Sequence, residues 1–104
     1  MVLHVLKWDI HPDKMEAYAA WAKPAVQRLL AVPGLTEFRA YRPATGSSQV
    51  VTTYEFADFE AWSAWYSSDE IQKITVERRA FTTNEFSELW GPSPIVPEPI
   101  RPGS

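Results

Sequence analysis

The sequence predicts an α+β fold in the chain order β-α-β-β-α-β, with a four-stranded antiparallel sheet carrying two helices on one face. Three observations predict it. Four segments are rich in β-branched and aromatic residues. Two longer segments repeat apolar residues at helical spacing, and the two kinds of segment occur in that order along the 104 residues. This is the ferredoxin-like split arrangement.

The first strand is "VLHVLKWDI", Val2 to Ile10. Val2, His4, Leu6, Trp8 and Ile10 share one face. Leu3 and Val5 begin the other, which ends in Lys7 and Asp9. A strand with apolar residues on both faces is covered on both. In the helix that follows, Pro12 suits a first turn, with Asp13 and Glu16 near the positive end of the dipole. Met15, Tyr18, Ala22, Ala25, Val26 and Leu29 form its apolar stripe. Pro24 interrupts the pattern and is expected to kink or split the helix. "VPGL" at 32–35 ends it in a turn.

Leu35 to Arg42 and Gln49 to Phe56 read as a hairpin around "PATGSS". Asp58 is placed to cap the next helix, which begins "FEAWSAWYSS". Ser67-Ser68-Asp69 breaks this helix and caps a second segment from Glu70 to about Ala80. "NEFSELW", Asn84 to Trp90, is the last strand. The sequence divides into a folded domain at 1–91 and a tail at 92–104, where five of the nine prolines impose extended, polyproline-like chain. That tail is expected either to be disordered or to lie across a second subunit with Ile95, Val96 and Ile100 in grooves.

Two helices on one sheet face leave the other face with apolar residues, and sheet-against-sheet homodimerisation is the simplest way to cover them. The net charge of −3 argues against nucleic acid as a partner. No apolar run reaches the ~20 residues of a membrane span, and the N-terminus lacks a basic leader, so a cytoplasmic protein with no membrane partner is expected. There is no cysteine, and the two histidines, His4 and His11, form no metal-ligand motif. Neither a metal nor any other cofactor is expected.

The aromatic stretch is the feature that raises a site. At about 100° per residue, Phe59, Trp62 and Tyr66 fall within one helical stripe and are expected in the core. Trp65 lies at the margin, placed for the helix edge, a partner subunit or a ligand cleft. His4 is the histidine inside a strand, either a hydrogen-bonded core residue or a base acting near neutral pH. Arg39 is a candidate partner for Glu55 across the hairpin, or for an anionic ligand. Arg78-Arg79 reads as a solvated helix end.

The run "PGLTEFRAYR … QVVTTYEFADFEAWSAWYSSDEIQK … FSELW" resembles the dimeric α+β barrel superfamily, in particular antibiotic-biosynthesis-monooxygenase-like domains. The resemblance covers about residues 2 to 90. It implies a homodimer whose sheets pack face to face and a small hydrophobic ligand between sheet and helices. It also implies two activities, cofactor-independent oxidation of aromatic quinols by O₂, or haem degradation. The haem branch is discounted. Trp65 with Ser68-Asp69 matches its helix, but its iron-ligating histidine falls on Thr75 and its first-strand asparagine is missing, Asn84 being the one asparagine in the chain.

For the quinol branch, the resemblance implies oxidation of a quinol- or anthrone-type aromatic. Its aromatic helix positions are filled by Trp62, Trp65 and Tyr66, and its supporting asparagine is again missing. His4 is the candidate catalytic base on its strand position and chemistry. Trp8, Arg39, Trp62, Trp65 and Tyr66 are the substrate-binding candidates. Tyr66 or Arg39 would stabilise developing negative charge. The alternative is a non-catalytic barrel dimer, binding a small hydrophobic molecule or associated with stress, in which His4 is structural.

Overall fold

The computed structural model describes residues 1–103. Strand β1 (Val2–Ile10) is followed by a single 3-10 turn at Pro12–Lys14 and helix α1 (Met15–Ala31). Strands β2 (Glu37–Tyr41) and β3 (Val50–Phe56) form the hairpin. Helices α2 (Phe59–Tyr66) and α3 (Asp69–Arg79) precede strand β4 (Thr82–Trp90). The sheet is four-stranded in the order β2-β3-β1-β4, with every neighbouring pair antiparallel. The ferredoxin-like α+β fold is therefore present, its second helical layer divided into α2 and α3.

Local signals explain the boundaries. The Asp58 carboxylate accepts the Ala61 N–H at 2.8 Å, and the Ser68 hydroxyl accepts the Ile71 N–H at 3.4 Å, so both predicted caps form. Gly34 ends the turn after α1 at φ 113, a left-handed conformation that glycine adopts without strain. A Cβ there would also stand 3.4 Å from the Ala61 carbonyl oxygen, which brings α2 close to the turn.

Two expectations about regular structure are corrected. Of the kink or split expected at Pro24, the split does not occur, and α1 runs as one helix from Met15 to Ala31. Pro24 and Ala20 are both on the exposed side, where the Ala20 carbonyl that loses its partner faces solvent. Strand β4 begins at Thr82, two residues before Asn84, because the chain passes through a bulge opposite Lys7 and Asp9. Asn84 takes up the bulge at φ 52 and donates from Nδ2 to the Asp9 carboxylate at 3.1 Å.

The core lies between the sheet's inner face and the helices. It is built from Val2, Leu6 and Trp8 of β1, Tyr54 and Phe56 of β3, Leu29 of α1, Trp65 of α2, and Ile71 and Ile74 of α3. On the outer face Val5 is also buried, between Thr53 and Glu88 on the flanking strands. Tyr41, Phe86 and Trp90 keep about half of their surface exposed (49%, 56% and 47%).

The aromatic helix is oriented differently from its predicted stripe. Trp65 is the buried ring of α2, 3% exposed, packed on Phe56 and Tyr54 at centroid distances of 5.2 and 5.5 Å. Phe59 is 51% exposed, and Trp62 and Tyr66 are half-buried. The eight-residue helix is too short to choose its own face. The caps at Asp58 and Ser68 and the close approach of Gly34 fix its rotation, and they turn Ala61 and Trp65 inward.

Candidate active site

Helix α1 presents small side chains to the sheet. Ala22, Ala25 and Val26 leave unfilled the space that larger residues would occupy over β2 and β3. The result is a cavity of about 150 Å³ between α1, α3 and the sheet. Its walls are aromatic, with Trp8, Tyr18, Trp21, Phe38 and Tyr54 contributing rings. Lining residues that retain exposure come from α1 (Tyr18, Trp21, Ala22 and Val26) and from the hairpin (Phe38, Ala40 and Val50). The end at Trp8, Thr52, Tyr54 and Arg78 is buried.

That buried end is polar. Arg78 is 6% exposed, although its position at the end of α3 reads as solvated. Its Nε and Nη2 donate to the two carboxylate oxygens of Glu85 at 3.0 and 2.9 Å, a bidentate pair. The guanidinium carbon sits 5.1 Å from the centroid of the Trp8 ring. A buried arginine survives here because β4 returns directly after α3 and carries the matching carboxylate. Its position was legible: Ile71, Ile74, Thr75 and Arg78 are the buried residues of α3 and recur at helical spacing.

Two phenols stand beside it. The Trp8 indole N–H donates to the Tyr18 hydroxyl at 3.2 Å, and Thr52 and Tyr54 bond hydroxyl to hydroxyl at 2.9 Å. Burial pushes the Tyr54 hydroxyl up to about 12 and also raises that of Tyr18. The Thr52 and Trp8 hydrogen bonds, respectively, and the charge of Arg78 oppose these shifts. Both phenols are therefore neutral donors at physiological pH.

His4 belongs to a neighbouring cluster and does not line this cavity. Its Nδ1 accepts the Trp62 indole N–H at 2.7 Å, and its Nε2 lies 3.1 Å from the Ser87 hydroxyl. An indole nitrogen only donates, so Nδ1 carries no hydrogen and the proton sits on Nε2, pointed at Ser87. Burial, aided by the Arg78 charge, lowers the imidazole to about 4. His4 is thus a neutral, doubly bonded side chain whose one lone pair is already engaged. The rings of Tyr54, Tyr66 and Trp62 surround it at centroid distances of 5.3–5.7 Å. The gap lined by His4, Trp65 and Tyr66 holds only about 20 Å³.

Of the site candidates singled out from sequence, Trp8 is the one that lines the cavity between α1, α3 and the sheet. Trp62 stacks on Tyr66 at 5.4 Å and holds His4. Trp65 donates to the Leu29 carbonyl at 3.4 Å and is core. Arg39 lies on the outer sheet face, 61% exposed at its side chain, and pairs with Glu37 at 2.6 Å. The expected Arg39–Glu55 pair does not form. The register sets Glu37 opposite Glu55 and Arg39 opposite Thr53, and Thr36 donates to Glu55 instead. Thr75, on the position of the haem ligand, donates its hydroxyl to the Ile71 carbonyl at 2.9 Å. Tyr18 and Arg78 were not among the sequence-based candidates. Among the described residues no three His, Cys, Asp or Glu side chains cluster as a metal site.

Fold and cavity together define a ferredoxin-like domain with an aromatic-lined cavity between helices and sheet. The profile of the antibiotic biosynthesis monooxygenase family matches residues 1–76, and the chain belongs to that family. Solved structures share the fold at low identity. One is a dabb family protein from Mesorhizobium loti, with a TM-score of 0.78 and 17% identity, over 88% of this chain and 96% of the other. A second is SnoaB, a cofactor-independent oxygenase from Streptomyces nogalater, in a mutant form, with a TM-score of 0.72 and 16% identity over 93% and 97%. A third is described as an antibiotic biosynthesis monooxygenase, with a TM-score of 0.74 and 13% identity over 90% and 100%. No curated protein matches the sequence.

Proposed function

We propose that the protein oxidises a small, electron-rich aromatic of the quinol type with O₂, and that the substrate binds in the cavity between α1, α3 and the sheet. The observation that carries this reading is a ring-lined cavity of about 150 Å³ whose polar groups gather at one buried end. A space of that size accepts one aromatic ring. Membership of the monooxygenase family supports the reaction type, and SnoaB shows that a protein of this fold carries out cofactor-independent oxygenation.

In the proposed reaction the bound quinol ionises beside Arg78, Tyr18 and Tyr54, which stabilise its oxyanion. The anion gives one electron to O₂. The resulting superoxide and ring radical combine at a ring C–H carbon, and the proton released to solvent on ionisation returns to the peroxide oxygen to give a carbon hydroperoxide. Cleavage of the O–O bond leaves one oxygen atom on the ring as a carbonyl, and the other departs as water with the proton of the former C–H. The walls keep bulk water from the radical pair. The base role first considered for His4 has no support in the hydrogen-bond geometry. His4 instead fixes Trp62 and, through Ser87, the β4 edge. A three-ring anthrone exceeds the cavity and would need α1 to move, so the reading favours single-ring quinols.

We also propose that two copies pack through their outer sheet faces, where Tyr41, Phe86 and Trp90 are exposed. The experiment that tests the activity is oxygen uptake by chelator-treated protein against a panel of single-ring hydroquinones, without added flavin, nicotinamide or metal. Uptake well above uncatalysed autoxidation is expected for at least one substrate. Uptake that never exceeds autoxidation would overturn the activity and leave a binding protein.

A further inference from the structure

We propose that the polar end of the cavity is a donor-rich site for an anionic oxygen, so that the aromatic ligand carries a carboxylate or a phenolate that docks against Arg78, Tyr18 and Tyr54. The inference rests on the reading of this cavity as the substrate site.

The Tyr18 oxygen accepts from Trp8, whose indole can only donate, so the Tyr18 hydrogen remains for another acceptor. Thr52 and Tyr54 share one hydrogen bond between two hydroxyls. Whichever donates, one hydroxyl hydrogen of the pair is left over. Arg78 spends Nε and Nη2 on Glu85, and among the described residues its Nη1 has no partner. All of these residues line the same cavity.

The carboxylates nearby are already taken. Glu85 is held behind Arg78 by the bidentate pair and does not line the cavity. The Trp21 indole N–H is turned away from the cavity to Glu77, at 2.9 Å. Three donors, one of them cationic, therefore line a cavity whose walls are otherwise apolar. A neutral hydrocarbon would leave them unpaired at a cost. A carboxylate offers about four lone-pair sites and a phenolate oxygen about three, enough to satisfy them. Burial sharpens the preference, because a charge-assisted bond to Arg78 is stronger away from water.

The test is anaerobic calorimetric titration of the full-length chain with benzoate and with its neutral isostere benzamide. Benzoate is expected to bind at least tenfold more tightly. Tyr18→Phe removes one donor hydrogen without changing the ring. It is expected to weaken benzoate several-fold and leave benzamide nearly unchanged. Arg78→Gln should abolish the discrimination; because it also strips Glu85 of its partner, Tyr18→Phe serves as the variant that keeps the ion pair. Competition between benzoate and 4-nitrophenolate tells the two sources apart, the tighter one naming the natural anion.

Equal or tighter binding of benzamide, no binding of either compound, or unchanged benzoate affinity in Tyr18→Phe would overturn the inference. The readout needs no turnover. Anion discrimination without oxygen uptake would defeat the oxygenase reading alone, and uptake with neutral quinols without discrimination would defeat this inference alone.

Discussion

Replacing His4 with Gln should remove a defined portion of the protein's acid sensitivity. The side-chain amide can accept from Trp62 through its oxygen and donate to Ser87 through its nitrogen, but it does not titrate. In the folded wild type the imidazole is lowered from 6.5 to about 4. On acidification the unfolded chain therefore takes up a proton that the folded chain refuses. Stability begins to fall below the unfolded value of 6.5 and the loss levels off below the folded value of about 4. Integrated from about pH 7.5 to about pH 4.5, the cost is roughly 2.5 kcal/mol.

The assay is urea unfolding of wild type and His4→Gln at both ends of that range. Carboxylates that titrate in the same window are common to the two proteins, so the difference isolates His4. The wild type should lose about 2–3 kcal/mol more than the variant on acidification. Parallel losses would refute the assignment of His4 as a neutral, desolvated imidazole and would reopen its role as a base.

Other expectations follow from the same structure. Trp65→Ala should destabilise by about 3–5 kcal/mol, and Phe59→Ala by about 1 kcal/mol, read as shifts in thermal unfolding; the reverse order would restore the stripe inferred from sequence. Glu85→Gln should cost about 3 kcal/mol by leaving the Arg78 charge without its partner, measured by urea unfolding. Phe86→Lys together with Trp90→Lys, on the outer face, should yield a monomer in sedimentation at micromolar concentration if two copies pack there. Removal of residues 92–104 should lower dimer affinity if the tail reaches the second subunit, and sedimentation equilibrium would show no change if it does not.

The alternation of "VLHVLKWDI" and "QVVTTYEF" and the stops at "VPGL" and "SSD" made the order of elements legible, because each signal is local. The facing of α2 was not legible. An eight-residue helix takes its rotation from caps and from the approach of Gly34, which lies far away in sequence. Arg78 reads as solvated from sequence because a charge pair at a helix end usually meets water. Its helical spacing from Ile71 and Ile74 was the available signal, and the partner that makes its burial tolerable is on the next strand. The cavity itself depends on what is missing from a packed layer, namely bulk at Ala22 and Ala25. Sequence showed those alanines only as part of an apolar stripe.

The central claim is that the space under α1 is where the aromatic substrate binds. The most direct test is anaerobic calorimetric titration with a single-ring hydroquinone that supports oxygen uptake, in wild type and in Ala22→Phe, whose added ring fills that space. The account predicts saturable binding of one molecule per chain in wild type, and loss of binding in a variant whose thermal unfolding shows that it still folds. Equal affinity in the folded Ala22→Phe protein would place the ligand elsewhere and contradict the account.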